Sequence, residues 1–164
     1  MIRIGIIGLS PGNGHPYSWA AICNGYDPEA MAHCPFPVIP RYLAQEIWPD
    51  AKIPDVKVTH IWTQDRAISE QVAKASLIDH ICEKMEDMIG QVDAVLLARD
   101  DAENHLAMSK PFLEAGIPIF VDKPFALSLE DAKQMLALQK YDHQIFSCSS
   151  LRYAEELALS PEDL

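Results

Sequence analysis

Short apolar, β-branched runs alternate about six times with longer stretches of helical period, and this alternation limits the fold more than any other feature of the 164-residue chain. Residues 2–7 read as a buried strand ending at Gly8. Residues 56–63, 92–98, 117–121 and 144–149 read the same way, with a short strand at 77–81. The 92–98 run is apolar apart from Asp93, as expected of a central parallel strand covered on both faces. Helical stretches fall between the strands. Residues 15–24 are stopped by Gly25, 66–76 follow the second strand, and 83–89 form a brief amphipathic helix. Residues 102–115 carry Pro111 as a kink and Gly116 as a C-cap; Ser128, with Asp131 three residues on, caps another helix; 151–159 read as the last.

Parallel strands need crossovers, and right-handed helical crossovers build a doubly wound sheet. The expected fold is α/β: a Rossmann-type, doubly wound, mostly parallel sheet. At ~150 residues per domain the length fits one such unit. Residues 26–55 stand apart: six of the twelve prolines lie there, so this proline-rich insertion admits only short helices, such as one over 41–47. Ser160-Pro161-Glu162-Asp163 reads as the start of a further helix. The chain stops one residue after that helix is announced, which reads as a fragment, a truncated product or a frayed tail.

Charge narrows the function. Thirteen Lys and Arg against 24 Asp and Glu leave a net −11, which argues against a nucleic-acid backbone as partner. No run of ~18 apolar residues suits a bilayer, and the first strand begins too early for a signal peptide. Cys23, Cys34, Cys82 and Cys148 form no CxxC pair, so reduced thiols and a cytoplasmic location are expected.

The first βα turn, Gly8-Leu9-Ser10-Pro11-Gly12-Asn13-Gly14-His15, has the glycines that let backbone N–H groups approach a phosphate at a helix N-terminus. It departs from G-x-G-x-x-G: Ser10 replaces the second glycine, and its hydroxyl is a candidate phosphate donor. Asp65, after the second strand, is a candidate for ribose hydroxyls or a helix N-cap. Arg66 beside it could instead meet a 2′-phosphate, so NAD and NADP both stay open, with NAD favoured. Asp122-Lys123-Pro124 emerges at the C-terminal end of a buried strand, where open α/β sheets bind ligands. A lysine so placed can polarise a hydroxyl or carbonyl, and Pro124 directs the chain.

Residues 116–124, with Phe125-Ala126-Leu127-Ser128 following, resemble the A-G-K-x-V-x-x-E-K-P segment of the Gfo/Idh/MocA (glucose–fructose oxidoreductase / inositol dehydrogenase) oxidoreductases. Residues 92–97 resemble that family's fourth strand, 100–105 its T-P-x-x-x-H turn with His105 matching, and 4–14 its first turn. The resemblance covers residues 1 to about 153. It implies an NAD(P)-binding domain in which Lys123 lies near nicotinamide and substrate as the catalytic residue, and the Asp100–His105 turn lines the cofactor. It further implies a substrate that is a sugar, cyclitol or sugar nucleotide, and a domain over 1–153 with 154–164 beginning a connection to a second domain, absent from the chain, that supplies a catalytic histidine. Asp122 stands for the family's Glu. Asp100-Asp101 replaces Thr-Pro, adding negative charge beside a pyrophosphate that Arg99 would have to offset. Such a domain alone is expected to be inactive and to self-associate through an uncovered apolar face as a homo-oligomer. A competing reading is a stand-alone nucleotide-binding or sensor domain without catalysis. His33, His60, His80 and His143 show no metal-ligand spacing, and no ordered Ser–His–acid set supports a hydrolase.

Overall fold

A computed structural model describes residues 1–157. Six strands form one all-parallel sheet in the order β3-β2-β1-β4-β5-β6. The strands are β1 (Ile2–Ile7), β2 (Val56–Trp62), β3 (His80–Ile81), β4 (Ala94–Leu97), β5 (Ile119–Val121) and β6 (Ile145–Phe146). The helices are α1 (His15–Asn24), α2 (Pro28–Met31), α3 (Val38–Leu43), α4 (Arg66–Ala75), α5 (His105–Ala115) and α6 (Leu129–Ala137). The two-residue side-chain period of a strand puts neighbours on opposite faces. Ile6 accordingly joins a core with Tyr17, Val58, Ile61 and Val72 under α1 and α4, while Ile7 joins Leu97, Phe112, Val121 and Met135 under α5 and α6.

The proline-rich insertion is folded onto the first of these cores. Asp27 caps α2 by accepting from the N–H groups of Glu29 and Ala30. The short helix in its middle is α3 at Val38–Leu43, earlier than the 41–47 that spacing suggested. Pro37 sits at its N-cap and Pro40 in its first turn, where backbone N–H groups have no helical acceptor, so the missing donor costs nothing. Met31, Ile39 and Leu43 are buried against Tyr17 and its neighbours.

Four expected elements change, the last strand among them, which shrinks from 144–149 to Ile145–Phe146. The short strand shrinks from 77–81 to His80–Ile81, because Leu77 takes a left-handed φ of 54° and the Ile78 N–H bonds back to the Ala73 carbonyl at 2.9 Å. That is a helix C-terminal closure, not a strand. The helix expected over 83–89 is a single 3-10 turn at Met85–Met88. The helix expected over 151–159 is, in its described part, two 3-10 turns at Ser150–Tyr153 and Glu155–Leu157. Leu151, Tyr153 and Leu157 are exposed there, and a helix this short needs a packed face to persist. Residues 158–164, with the expected Ser160 cap, lie outside the described residues. Gly116 does close α5 with a left-handed φ of 79°, and Ser128 accepts the Asp131 N–H to cap α6.

No described helix is long and apolar enough to cross a membrane. The four cysteines are unpaired.

One side chain ties three elements together. Asn24, at the end of α1, donates to the carbonyls of Val58, Ser76 and Leu77 and accepts the Val58 N–H at 2.9 Å. Asn24→Ala leaves these groups unpaired next to the core and is expected to lower stability by about 2 kcal/mol. Urea unfolding of the two chains measures the difference.

Candidate functional site

All six strands point the same way, so four turns gather at one edge: 8–14 after β1, 63–65 after β2, 98–104 after β4 and 122–128 after β5. The chain leaves β1 toward β2 and leaves β4 toward β5, in opposite directions along the sheet. A crevice opens between such diverging connections.

The first turn is built by close approach. A Cβ on Gly8 would stand 2.3 Å from the Pro16 ring, and one on Gly14 2.5 Å from Ile39 and 2.7 Å from Phe36 of the insertion. Gly12 has a φ of +82° with open space around it. The three glycines of the turn therefore have separate duties: strand–helix contact at Gly8, a left-handed turn at Gly12, and contact with the insertion at Gly14. The Asn13 N–H bonds to the Ser10 carbonyl at 3.1 Å, and the Asn13 side chain accepts the His15 N–H at 2.8 Å at the start of α1. The N–H groups of Ser10, Gly12 and Gly14 find no acceptor among the described residues.

Ser10 is turned inward, 1% exposed. Its hydroxyl donates to Asp100 Oδ1 at 2.5 Å and accepts the Asp100 N–H at 3.1 Å, joining the β1 and β4 turns across the crevice. The expected hydroxyl-to-phosphate role thus meets a competitor already in place. The Leu9 N–H is also engaged, by Gln64 Oε1 at 3.1 Å, while Gln64 Nε2 donates to the Leu9 carbonyl at 2.7 Å. Gln64 was not singled out from the sequence. An amide side chain belongs to no motif, yet it both donates and accepts, which is what bridging a backbone turn requires.

Arg99 is buried and committed. It makes a two-pronged pair with Asp101 at 2.8 and 2.5 Å and donates to Gln64 Oε1 at 2.8 Å. Burial pushes the Asp101 carboxyl up, but hydrogen bonds from Arg99 and Asn104 and the Arg99 charge outweigh it, leaving the pKa below the ordinary carboxylate value. The charge offset expected of Arg99 is thus spent on Asp101. His105 is fully buried, with Nε2 2.9 Å from the Arg99 carbonyl and Nδ1 3.1 Å from that of Phe125. It lies beneath the edge, holding the β4 and β5 turns in register, rather than on the surface a cofactor would touch.

Asp65 caps α4, its Oδ1 accepting the Ala67 N–H at 2.8 Å, and remains exposed at the end of β2. Arg66 pairs with Glu70 and Glu83.

Beyond β5, Asp122 is 2% exposed and accepts three hydrogen bonds: from Asn13 Nδ2 at 2.9 Å and His15 Nδ1 at 2.5 Å on Oδ2, and from the Lys123 N–H at 2.8 Å on Oδ1. Burial raises its pKa, yet the bonds from His15 and Asn13 prevail and hold it below the ordinary value. The Lys123–Pro124 peptide is cis, as is Gly8–Leu9. Lys123 is exposed, with no ion pair among the described residues. With His15 and Trp19 it lines an open cleft of about 550 Å³ that also takes in Leu96 and Phe120 of the sheet, with Cys148, Ser149, Ser150 and Tyr153 on its lining. Among the described residues no three His, Cys, Asp or Glu side chains gather as a metal site.

Residues 2–150 match the Gfo/Idh/MocA family, an oxidoreductase family with an NAD-binding Rossmann fold. No curated protein matches the chain. Among solved structures it is similar to a myo-inositol 2-dehydrogenase from Lactobacillus plantarum, with 18% identity and a TM-score of 0.61 over 94% of this chain and 38% of that one. It is also similar to a scyllo-inositol dehydrogenase from Lactobacillus casei with bound cofactor NAD(H) and scyllo-inositol, at 19% identity and a TM-score of 0.61, again over 94% and 38%. A third is a Gfo/Idh/MocA family oxidoreductase from Vibrio cholerae, at 18% and 0.59 over 90% and 38%. The chain thus spans less than two fifths of the length of each, and at these identities the likeness is one of fold.

Asp122 makes a pH-dependent contribution to stability. Its folded pKa lies below the ordinary 3.8, so the unfolded chain takes up the proton first on acidification. The carboxylate's contribution is complete above that value and is lost as pH falls through it. Asp122→Asn is expected to cost about 2 kcal/mol near neutral pH and progressively less below about pH 4, as read from urea unfolding across that range.

Proposed function

The chain belongs to the Gfo/Idh/MocA oxidoreductase family and is its NAD-binding Rossmann domain, and from that premise we propose that its crevice holds NAD for the oxidation or reduction of a polyol hydroxyl, of the sugar or cyclitol class. The observation that carries this reading is the row of N–H donors at Ser10, Gly12 and Gly14, left without acceptors between β1 and β4. Donors left unpaired in this way suit the oxygens of a pyrophosphate, and the start of α1 adds its positive dipole end. Gly12, with nothing within 4 Å of where its Cβ would stand, leaves room for a close approach.

Preference for NAD over NADP is supported by two charges. Asp65 presents a carboxylate suited to ribose hydroxyls and repels a 2′-phosphate, and the cation beside it, Arg66, is already paired with Glu70 and Glu83. The bound dinucleotide supplies the hydride acceptor or donor, at its nicotinamide. Lys123 supplies an ammonium that draws electron density from the substrate oxygen, stabilising it as negative charge develops. Asp122 holds the Lys123 backbone, and with it the base of that side chain. Asp100 stays near the proposed pyrophosphate, its repulsion moderated by the hydroxyl of Ser10. Inositol dehydrogenases among the similar structures support the polyol class. Since the chain spans less than two fifths of those structures, the 164 residues are proposed to bind dinucleotide without turning over.

Calorimetric titration tests this. NAD(H) is expected to bind saturably and NADP(H) at least tenfold more weakly. Asp65→Ala should weaken NAD(H) by about tenfold, while Arg66→Ala and Lys123→Ala should leave it within a few-fold; tenfold corresponds to about 1.4 kcal/mol. Silence toward both dinucleotides, with the circular dichroism of a folded chain, would sink the proposal.

A further inference from the structure

We propose that Asp100 is a charge-selecting residue of the crevice, a carboxylate held across it by Ser10 that makes the site favour the oxidised dinucleotide over the reduced one; this rests on the dinucleotide reading above and deepens it. The strands end in one row, with Trp62, Ile7, Leu97 and Val121 as register partners along β2, β1, β4 and β5. Beyond that row stand Asp65, the unpaired donors of the first turn, Asp100 and Lys123, in that order across the sheet. Adjacent strands are only about 4.8 Å apart. A dinucleotide with its ribose on Asp65 and its pyrophosphate on the donors therefore carries its nicotinamide half past Asp100 before it reaches Lys123.

Asp100 differs from the other acids of this edge. Asp101 is paired with Arg99, and Asp122 is buried and takes three hydrogen bonds, one of them from His15. Asp100 is half-buried and is held by Ser10 alone, whose Oγ donates to Oδ1 at 2.5 Å and accepts the Asp100 N–H at 3.1 Å. No cation pairs with it among the described residues. A hydroxyl fixes a carboxylate in place but leaves its charge intact. A residue that only closed the turn would need no charge, since an amide oxygen could accept the same hydroxyl.

The pyrophosphate carries the same charge in both redox forms, so its repulsion from Asp100 weakens both alike. The two forms differ by one positive charge, which the nicotinamide ring holds only when oxidised. A carboxylate one turn away, in a site partly shielded from water, distinguishes these rings by Coulomb attraction. Lys123 acts in the opposite sense, but it is exposed and its charge is more fully screened. Asp65 stands at the other end of the row, too far off to oppose either. The bias suits uptake of the oxidised form and release of the reduced one.

The test is calorimetric titration of the 164-residue chain and of Asp100→Asn with NAD+ and with NADH, each at low and at high salt. The wild type should bind NAD+ about threefold or more tightly than NADH at low salt. Asp100→Asn keeps an acceptor for Ser10 and loses only the charge. It should tighten NADH by about tenfold and NAD+ by less, narrowing the ratio by about threefold or more. High salt should narrow the ratio in the wild type more than in the variant, which a purely structural role would not produce. A wild type that binds the two forms alike at low salt, or NADH more tightly, overturns the proposal without any variant. An unchanged ratio in Asp100→Asn, with the circular dichroism of the wild type, overturns it as well. Absence of binding of either form to either chain overturns instead the dinucleotide reading itself.

Discussion

Placing β1 at the middle of an all-parallel sheet, between β2 and β4, is the constraint from which the rest follows. A strand with neighbours on both sides and helices on both faces has little free backbone, and its C-terminal half, Gly5 to Ile7, is fully buried, so its exit must be abrupt. The turn after Ile7 has to clear Pro16 of α1 and the insertion together, which only residues without a Cβ allow at Gly8 and Gly14. Tight exits of this kind leave N–H groups that have not yet turned far enough to find protein acceptors. The unpaired donors at Ser10, Gly12 and Gly14 are a by-product of that packing, and because β4 departs in the opposite direction the proposed ligand has space in front of them.

Electrostatics must then reconcile an acidic chain with an anionic ligand. A net charge of −11 and the carboxylates Asp100, Asp101 and Asp122 at one edge would repel a pyrophosphate if all stood bare. None does. Asp101 is held by Arg99 and Asn104, Asp100 takes the Ser10 hydroxyl, and Asp122 is covered by Asn13, His15 and the Lys123 backbone. Each acid has become a means of fixing a loop. The cations that remain outward are Lys123, over the cleft, and the dipole end of α1.

Much of the fold was legible because burial writes itself into composition: the runs at 2–7, 56–63 and 92–98 each contain the strand observed. The misreadings occur where a single backbone angle or a missing partner decides. Leu77 adopts a left-handed angle that sequence rules reserve for Gly or Asn, and the helical closure it makes looks apolar enough to be a strand. Residues 151–157 carry the right spacing for a helix but no surface to bury it on. In the site, the residue types were legible and their pairings were not. Arg99 looked like a free cation, whereas a buried guanidinium requires a carboxylate, and the turn supplies Asp101 two residues on. Gln64 and the inward turn of Ser10 could be seen only once β1, β2 and β4 were brought to one edge.

The insertion explains why the first turn departs from the dinucleotide fingerprint. In a compact βαβ unit the third glycine serves close packing of helix on strand, and the second serves the approach of the ligand. Here a thirty-residue excursion between α1 and β2 lays Phe36 and Ile39 on the start of α1, so the glycine needed for close packing moves to the position that meets them, Gly14. The left-handed bend moves to Gly12, and Asn13 between them is free to be a side chain that reaches Asp122. With Asn13 and His15 both on that carboxylate, the turn is anchored to β5 rather than to a bound phosphate alone. A motif defined by spacing therefore fails on this chain although the requirements behind it, close approach, an open left-handed residue and unsatisfied donors, are each met by a different residue of the same turn.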